Sequence, residues 1–350
     1  MSAARFARCA RMRGWPVTAR ARPRLGASSG VRSGAGGAGR CGRGRSRQTP
    51  GRCSMRLRTT ERNLVAFVAA LLATVAIAAP AADAASPSWR PVKADRWQYQ
   101  LNPASSGAGT AGGITISPCG RPATGGPSCV KPTVYEIDLH GPDGRTPNAA
   151  AVQAVHGVGA RAVCYVDAGT WERWRPDAAA YPASVKGADV DEWPGEKWLD
   201  VRDTAALLPI VEARVAQCAR AGFDAVEFDN VDGWANSTGF PLTAAHQLRY
   251  NRSIAAVARK HGLAVGLKND LDQVKDLVGN FDFAVNEQCG QFDECGLLKP
   301  FLDAGKPVVQ IEYSDRGART GGFCAQANAA GRSAVLKQLS LKATPWTPCR

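Results

Sequence analysis

Seven acidic residues stand at or beside the ends of stretches that read as β-strands: Asp138, Asp167, Asp200, Glu227, Asp229, Glu287 and Glu312. Lys268, Asn269 and Tyr313 occupy equivalent positions. A carboxylate buried at a strand end is costly unless it is paired, hydrogen-bonded or used, and Lys268 alone cannot neutralise seven. Three chemistries suit such a basin. An acid and a nucleophile or base could cleave a glycosidic bond, clustered oxygens could hold Ca²⁺ or Mg²⁺, or the negative charge could bind a cationic ligand without turning it over. Zinc chemistry is poorly served, because no C-x-x-C occurs and the four His are scattered, His140 alone lying just past a strand. No G-x-S-x-G elbow and no phosphate-binding glycine fingerprint is present. No metal or cofactor is expected.

The stretch Gly222-Phe-Asp-Ala-Val-Glu-Phe-Asp-Asn-Val-Asp-Gly-Trp234 organises the rest. Alternation along a strand puts Phe223, Ala225, Glu227 and Asp229 on one side, with Val226 and Phe228 facing away to pack on helices. Asp229 then sits where the strand gives out. Asp232 follows in the turn, where an Asp can also serve as a cap. Trp171, Trp174, Trp193, Trp198 and Trp234 lie in or beside the same upper loops and suit stacking on sugar faces.

The elements that must position these residues alternate. Strands are predicted at 96–101, 133–139, 161–169, 198–202, 222–229, 263–269, 281–287 and 306–313, with helices at 147–157, 204–221, 243–261, from 270 to about 278, 292–304 and from 325 to about 338. Eight strands mostly separated by helices imply a parallel sheet. Eight within this length is the count of a single (β/α)8 barrel, the TIM barrel, whose strand ends all open on one face.

Charge and cysteine set the context. The formal net charge of +14 comes from residues 1–54, which hold 13 Arg and no Lys, Asp or Glu; the remaining 31 basic residues face 30 acidic ones. This Arg- and Gly-rich segment has no apolar periodicity and is expected to be disordered, or to precede a true start at Met55. From Met55 a basic stretch, the uncharged run 64–79 and small residues about Ala82-Asp-Ala84 read as a signal peptide over 55–84, and the run is too short for a stable membrane anchor. Residues 85–95 form a linker and 96–350 the barrel domain. Residues 85–350 hold 28 basic and 28 acidic residues, so nucleic acid is not an expected partner, and a secreted monomer is. Their eight Cys suggest disulfides in one of 105 pairings; short spacing favours Cys119–Cys129 and Cys289–Cys295, while Cys324–Cys349 could staple the tail and Cys164 could meet Cys218.

Seven segments together carry a resemblance: Trp97–Leu101, Tyr135–Asp138, Cys164–Gly169, Glu196–Asp200, Gly222–Gly233, Gly266–Asn269 and Asn286–Cys289. In this order the chain resembles glycoside hydrolase family 114, TIM-barrel endo-α-1,4-polygalactosaminidases, from about residue 96 to about 313. The resemblance implies cleavage of α-1,4-linked galactosamine in a cationic polysaccharide, with Asp229 as nucleophile and Glu287 as acid/base. Asp138, Asp167, Asp200, Glu227, Asp232, Lys268, Asn269, Glu312, Tyr313 and Trp234 would line the substrate site. Phe228 stands where the family often has Pro, on the face turned away from the pocket. Phe283 and Val285, on the strand face of Glu287, would surround that carboxyl with apolar groups. A non-catalytic carbohydrate-binding barrel and a metal-dependent polysaccharide hydrolase or deacetylase remain as alternatives.

Overall fold

The structure, a computed structural model, describes residues 86–104 and 109–350. The expectations for residues 1–54 and 55–84 fall outside the described residues. Eight parallel strands form the barrel: β1 (Trp97–Gln100), β2 (Val134–Asp138), β3 (Arg161–Asp167), β4 (Ala225–Asp229), β5 (Ala264–Lys268), β6 (Phe283–Glu287), β7 (Val308–Tyr313) and β8 (Ser333–Lys337), hydrogen-bonded in that order. The seam between β8 and β1 is spanned by side chains. Ser333 Oγ donates to the Asp95 carbonyl at 2.7 Å, Lys337 Nζ to Gln98 Oε1 at 2.9 Å, and the Trp346 indole to the Trp97 carbonyl at 2.9 Å. A short strand, Thr347–Pro348, lies antiparallel on β8.

The strand alternation gives two apolar layers. Inside the barrel lie Trp97, Tyr99, Val134, Val163, Ala225, Ala264, Phe283, Val285, Val309, Ile311 and Tyr313. Between strands and helices lie the alternate residues, including Tyr135, Ile137, Val166, Val226, Phe228, Val265 and Leu267. Thus Ala225 faces in and Val226 and Phe228 face out, as the sequence requires. Gly266 is needed for packing, since a Cβ there would stand 2.4 Å from the Phe283 ring.

The covering helices include α1 (Ala149–Gly157), α2 (Thr204–Ala221) and α3 (Ala244–Lys260). Helix α2 starts where Asp203 caps the Ala206 N–H and stops at Gly222, whose φ of 89° suits glycine. Helix α3 opens with a Thr243–His246 capping box. The four expected disulfides are all formed, with Cys164–Cys218 joining β3 to α2.

The strand count of eight is right, but one member differs. The segment 198–202 is not a barrel strand. Glu196–Leu199 is the middle strand of a three-stranded antiparallel excursion between β3 and α2, flanked by Thr170–Glu172 and Lys186–Asp189. The eighth barrel strand is Ser333–Lys337, within the segment expected to continue the last helix, which instead spans Thr320–Ala329. No helix among the described residues is long and apolar enough to cross a membrane.

Candidate active site

The inward positions of β2 to β6 end in Asp138, Asp167, Asp229, Lys268 and Glu287, and Lys268 is their electrostatic centre. It is 2% exposed, and its Nζ lies 3.0 Å from Asp229 Oδ1, 3.4 Å from Glu287 Oε2 and 3.9 Å from Glu227 Oε1, while donating to the Tyr99 hydroxyl at 3.0 Å. Burial works against its charge, but Asp229, Glu287 and Glu227 outweigh that and hold the ammonium well above its ordinary pKa. Two oxygens held 3.0 and 3.4 Å from one nitrogen can be no more than about 6.4 Å apart, the sum of those distances.

Asp229 is fixed from three sides. Lys268 and the Asn230 N–H bind Oδ1, at 3.0 and 2.8 Å, and the Tyr165 hydroxyl donates to Oδ2 at 2.8 Å. Burial alone would raise this carboxyl, yet Lys268 and these donors bring it below the usual carboxylate range. Glu287 accepts from the buried Tyr313 hydroxyl. Its functional end is therefore set between an ammonium and a phenol, rather than among the apolar side chains of its own strand, because Phe283 and Val285 point into deeper levels of the barrel.

The backbone turns sharply where three neighbouring strands stop. Asn230, Asn269, Asp270 and Gln288 have φ of 58°, 50°, 43° and 68°, the left-handed region rarely used by non-glycine residues. Asn269 Oδ1 accepts from Asn286 Nδ2 at 3.0 Å and from the Glu287 N–H at 3.1 Å, so it positions the Glu287 backbone. Gly169 is required at the end of β3, since a Cβ there would sit 1.7 Å from the Asn230 carbonyl oxygen.

The cleft above these strand ends has a volume of about 230 Å³. Asp138, Asp229, Asp232, Asn269 and Glu287 line it, together with Tyr99, Tyr165, Glu172, Arg175 and Glu196. Asp138 faces the cleft gripped by Arg175 through both oxygens, at 2.7 and 2.8 Å. Trp174, Trp193 and Trp198 also face it, all from the excursion.

The other expected site residues lie behind this surface. Asp167 accepts from the Thr170 N–H and hydroxyl and from Asn230 Nδ2, tying the β3 and β4 ends together. Glu312 occupies the outward parity of β7 and accepts from the Gly290 and Gln291 N–H groups, holding the loop after β6. Asp200 lies on the excursion's exit and pairs with Arg202 at 2.7 Å. Trp234 donates its indole N–H to Asp270. The one group among the described residues with three possible metal ligands, Cys289, Cys295 and Glu312, consists of a disulfide and this already engaged carboxylate.

Beneath Lys268 lies a carboxyl pair of which the sequence reading saw only half. Glu227 and Glu136 are both fully buried, and Glu136 Oε2 accepts from the Trp97 indole at 2.6 Å. Burial pushes Glu136 up to about 7 and Glu227 well above its ordinary value, so the pair holds a proton at neutral pH. The signal for Glu136 was its place in Val134-Tyr-Glu-Ile-Asp138, two residues before an inward Asp.

This acid-rich interior predicts an unusual pH dependence of stability. Burial raises Glu136 to about 7, Asp167 to about 8 and Glu196 to about 9 in the folded protein. Across the window from about pH 4.5 to 7 the unfolded chain has released these protons and the folded chain retains them, so stability falls as pH rises. His140, lowered by its burial, pulls the other way below about pH 6.5, but is one group against three. Thermal melts are expected to show a higher Tm near pH 5 than near pH 7, and a flat or rising profile would contradict this charge state.

The family profile described as glycoside-hydrolase family GH114 matches residues 78–349. Among solved structures, Ega3 of Aspergillus fumigatus, crystallised in complex with galactosamine, is 30% identical with a TM-score of 0.62, covering 74% of this chain and 96% of its own. The glycoside hydrolase domain of PelA from Pseudomonas aeruginosa aligns at 16% identity and a TM-score of 0.47, over 62% of this chain and 90% of that one. No curated protein sequence matches the chain.

Proposed function

The chain belongs to glycoside-hydrolase family GH114, and on that premise we propose that it cleaves α-1,4-galactosaminidic bonds in a cationic polysaccharide, with Asp229 as nucleophile and Glu287 as general acid and base. The observation that carries this reading is the shared grip of Lys268 on both carboxylates. Lys268 and Tyr165 keep Asp229 ionised and aimed, as a nucleophile needs. Glu287 protonates the leaving glycosidic oxygen as Asp229 attacks the anomeric carbon. Once Asp229 is esterified its charge is gone, and Lys268 is left with Glu287 as its charged rim partner in the step where Glu287 must take a proton from water. Asn269, Tyr313 and Tyr99 act as positioning residues.

The relative crystallised with galactosamine, Ega3, supports the substrate class, as does a cleft lined by six acidic side chains and one basic one, Arg175. Four disulfides support an extracellular location. The whole cleft comes from one chain, which supports action as a monomer.

The shared contact with Lys268, which keeps the nearest Asp229 and Glu287 oxygens within about 6.4 Å, supports a retaining arrangement. Retaining glycosidases hold their carboxyls about 5–5.5 Å apart, and inverting ones about 6.5–9.5 Å apart to admit a water. An α-1,4-galactosamine polymer is therefore expected to yield shortened oligomers whose new reducing ends appear first as the α-anomer in time-resolved ¹H NMR, with no loss of rate in chelator. A β-anomer formed first would remove Asp229 as nucleophile. Absence of products would leave only a carbohydrate-binding barrel.

A further inference from the structure

Glu196 is the anomaly of the cleft wall. It sits on the middle strand of the excursion, in register directly across from Glu172, and like charges in that arrangement destabilise a sheet. Glu172 is compensated by Arg175 Nε at 2.6 Å. Arg175 also serves Asp138, and Lys268 serves Asp229 and Glu287. Glu196 is 7% exposed, yet it pairs with no Lys or Arg among the described residues; its carboxyl has one hydrogen-bond partner, the Thr170 hydroxyl 3.2 Å from Oε2. Its remaining surface lines the cleft that holds Asp229. A carboxylate so placed is costly without a cation, and no Lys or Arg among the described residues lies within ion-pair distance of it.

We propose that Glu196 is the receptor for the C2 ammonium of a hexosamine bound in this cleft, and so sets the preference for de-acetylated over N-acetylated sugar. The inference rests on the reaction proposed above and assigns the residue that reads its substrate. An ammonium supplies the missing charge and donates up to three hydrogen bonds. An acetamide is neutral and bulkier, and offers no charge to draw the proton off Glu196.

The proton balance is explicit. Burial, with Asp167, Glu172 and Asp229 facing Glu196, pushes its carboxyl up to about 9. Arg175 stands beyond Glu172 and is already engaged. Lys197, next on the same strand, bonds Asp189; Lys186, on a neighbouring strand, lies over the Trp171 ring, and the Arg173 side chain lies against Gly195. In the empty cleft at pH 7 Glu196 is thus protonated. Arrival of R–NH₃⁺ converts the carboxyl to a carboxylate held by the ammonium and releases one proton to solvent.

The test uses the full chain with the monosaccharides galactosamine and N-acetylgalactosamine, which contain no bond to cleave. Calorimetry at pH 7 in buffers of different ionisation enthalpy is expected to show release of about one proton per galactosamine bound. Glu196→Gln, which keeps the shape and the Thr170 contact, is expected to lose that release and to weaken galactosamine binding roughly tenfold or more, leaving N-acetylgalactosamine unchanged. Glu196→Asp should recover part of the preference. Equal weakening of both sugars, or unchanged galactosamine binding in Glu196→Gln, would overturn the assignment while hydrolysis stands. If the wild type ignores galactosamine, the proposed reaction fails with it.

Discussion

Asp229→Asn is expected to lower the hydrolysis rate by roughly a thousandfold or more, with the fold intact. The amide cannot attack the anomeric carbon, and loss of a nucleophile of this kind leaves only what binding and the acid provide. Folding survives because Lys268 retains Glu287 at 3.4 Å and Glu227 at 3.9 Å, the Asn230 N–H and Lys268 keep the Oδ1 acceptor, and the Tyr165 hydroxyl can turn to accept from the new Nδ2. Glu287→Gln should lose about 10²- to 10⁴-fold, the usual worth of a general acid. That loss should shrink on an aryl-capped oligosaccharide whose leaving group needs no proton. Rates on the polymer, with melting curves as the folding control, decide both. Activity near wild type in either variant takes that residue out of the mechanism.

Lys268→Met is expected to produce the largest loss of stability at this site, about 3–5 kcal/mol near neutral pH, because it strands buried carboxylates without a cation. Lys268 is 2% exposed, so solvent does little to replace it. The loss should depend on pH in a defined direction. In the wild type Lys268 helps hold Asp229 below its ordinary range, against the effect of burial, which contributes stability above about pH 4 that fades as pH falls through the lowered value. In the variant that depression is gone, and burial favours protonated carboxyls instead. The gap in Tm between wild type and variant should open above about pH 4 and close below it. A gap of constant size from pH 3 to 7 would show that Lys268 acts through packing rather than charge.

The sequence made the strand 222–229 legible because its alternation is unambiguous: Glu227 and Asp229 share a face with Ala225, and Val226 and Phe228 are too apolar to be anywhere but under helices. The disulfides were legible from spacing and element order. What escaped depends on pairing. Trp198-Leu-Asp-Val carries as much apolar weight as a barrel strand, and nothing local says that its hydrogen bonds run antiparallel to Thr170–Glu172. Ser333-Ala-Val-Leu-Lys337 has the right pattern, but it follows a helix so closely that its break at Gly331, with φ of 74°, passes for a continuation. Glu312 and Tyr313 are adjacent, so only one could face inward, and register gave that place to Tyr313. Glu172 and Glu196 lie between the stretches 161–169 and 198–202 expected as strands, and their partnership across a strand pair is invisible without the sheet.

The excursion leaves the barrel after Gly169 and rejoins it before α2, pairing only with itself. Its cargo of aromatics and Glu196 therefore hangs from the scaffold like an interchangeable tool head, while Asp229, Lys268 and Glu287 belong to the handle. A different 170–199 segment that kept Thr170 and Arg175 as partners of Asp167 and Asp138 would be expected to retune which polymer is gripped and leave the cutting edge as it was.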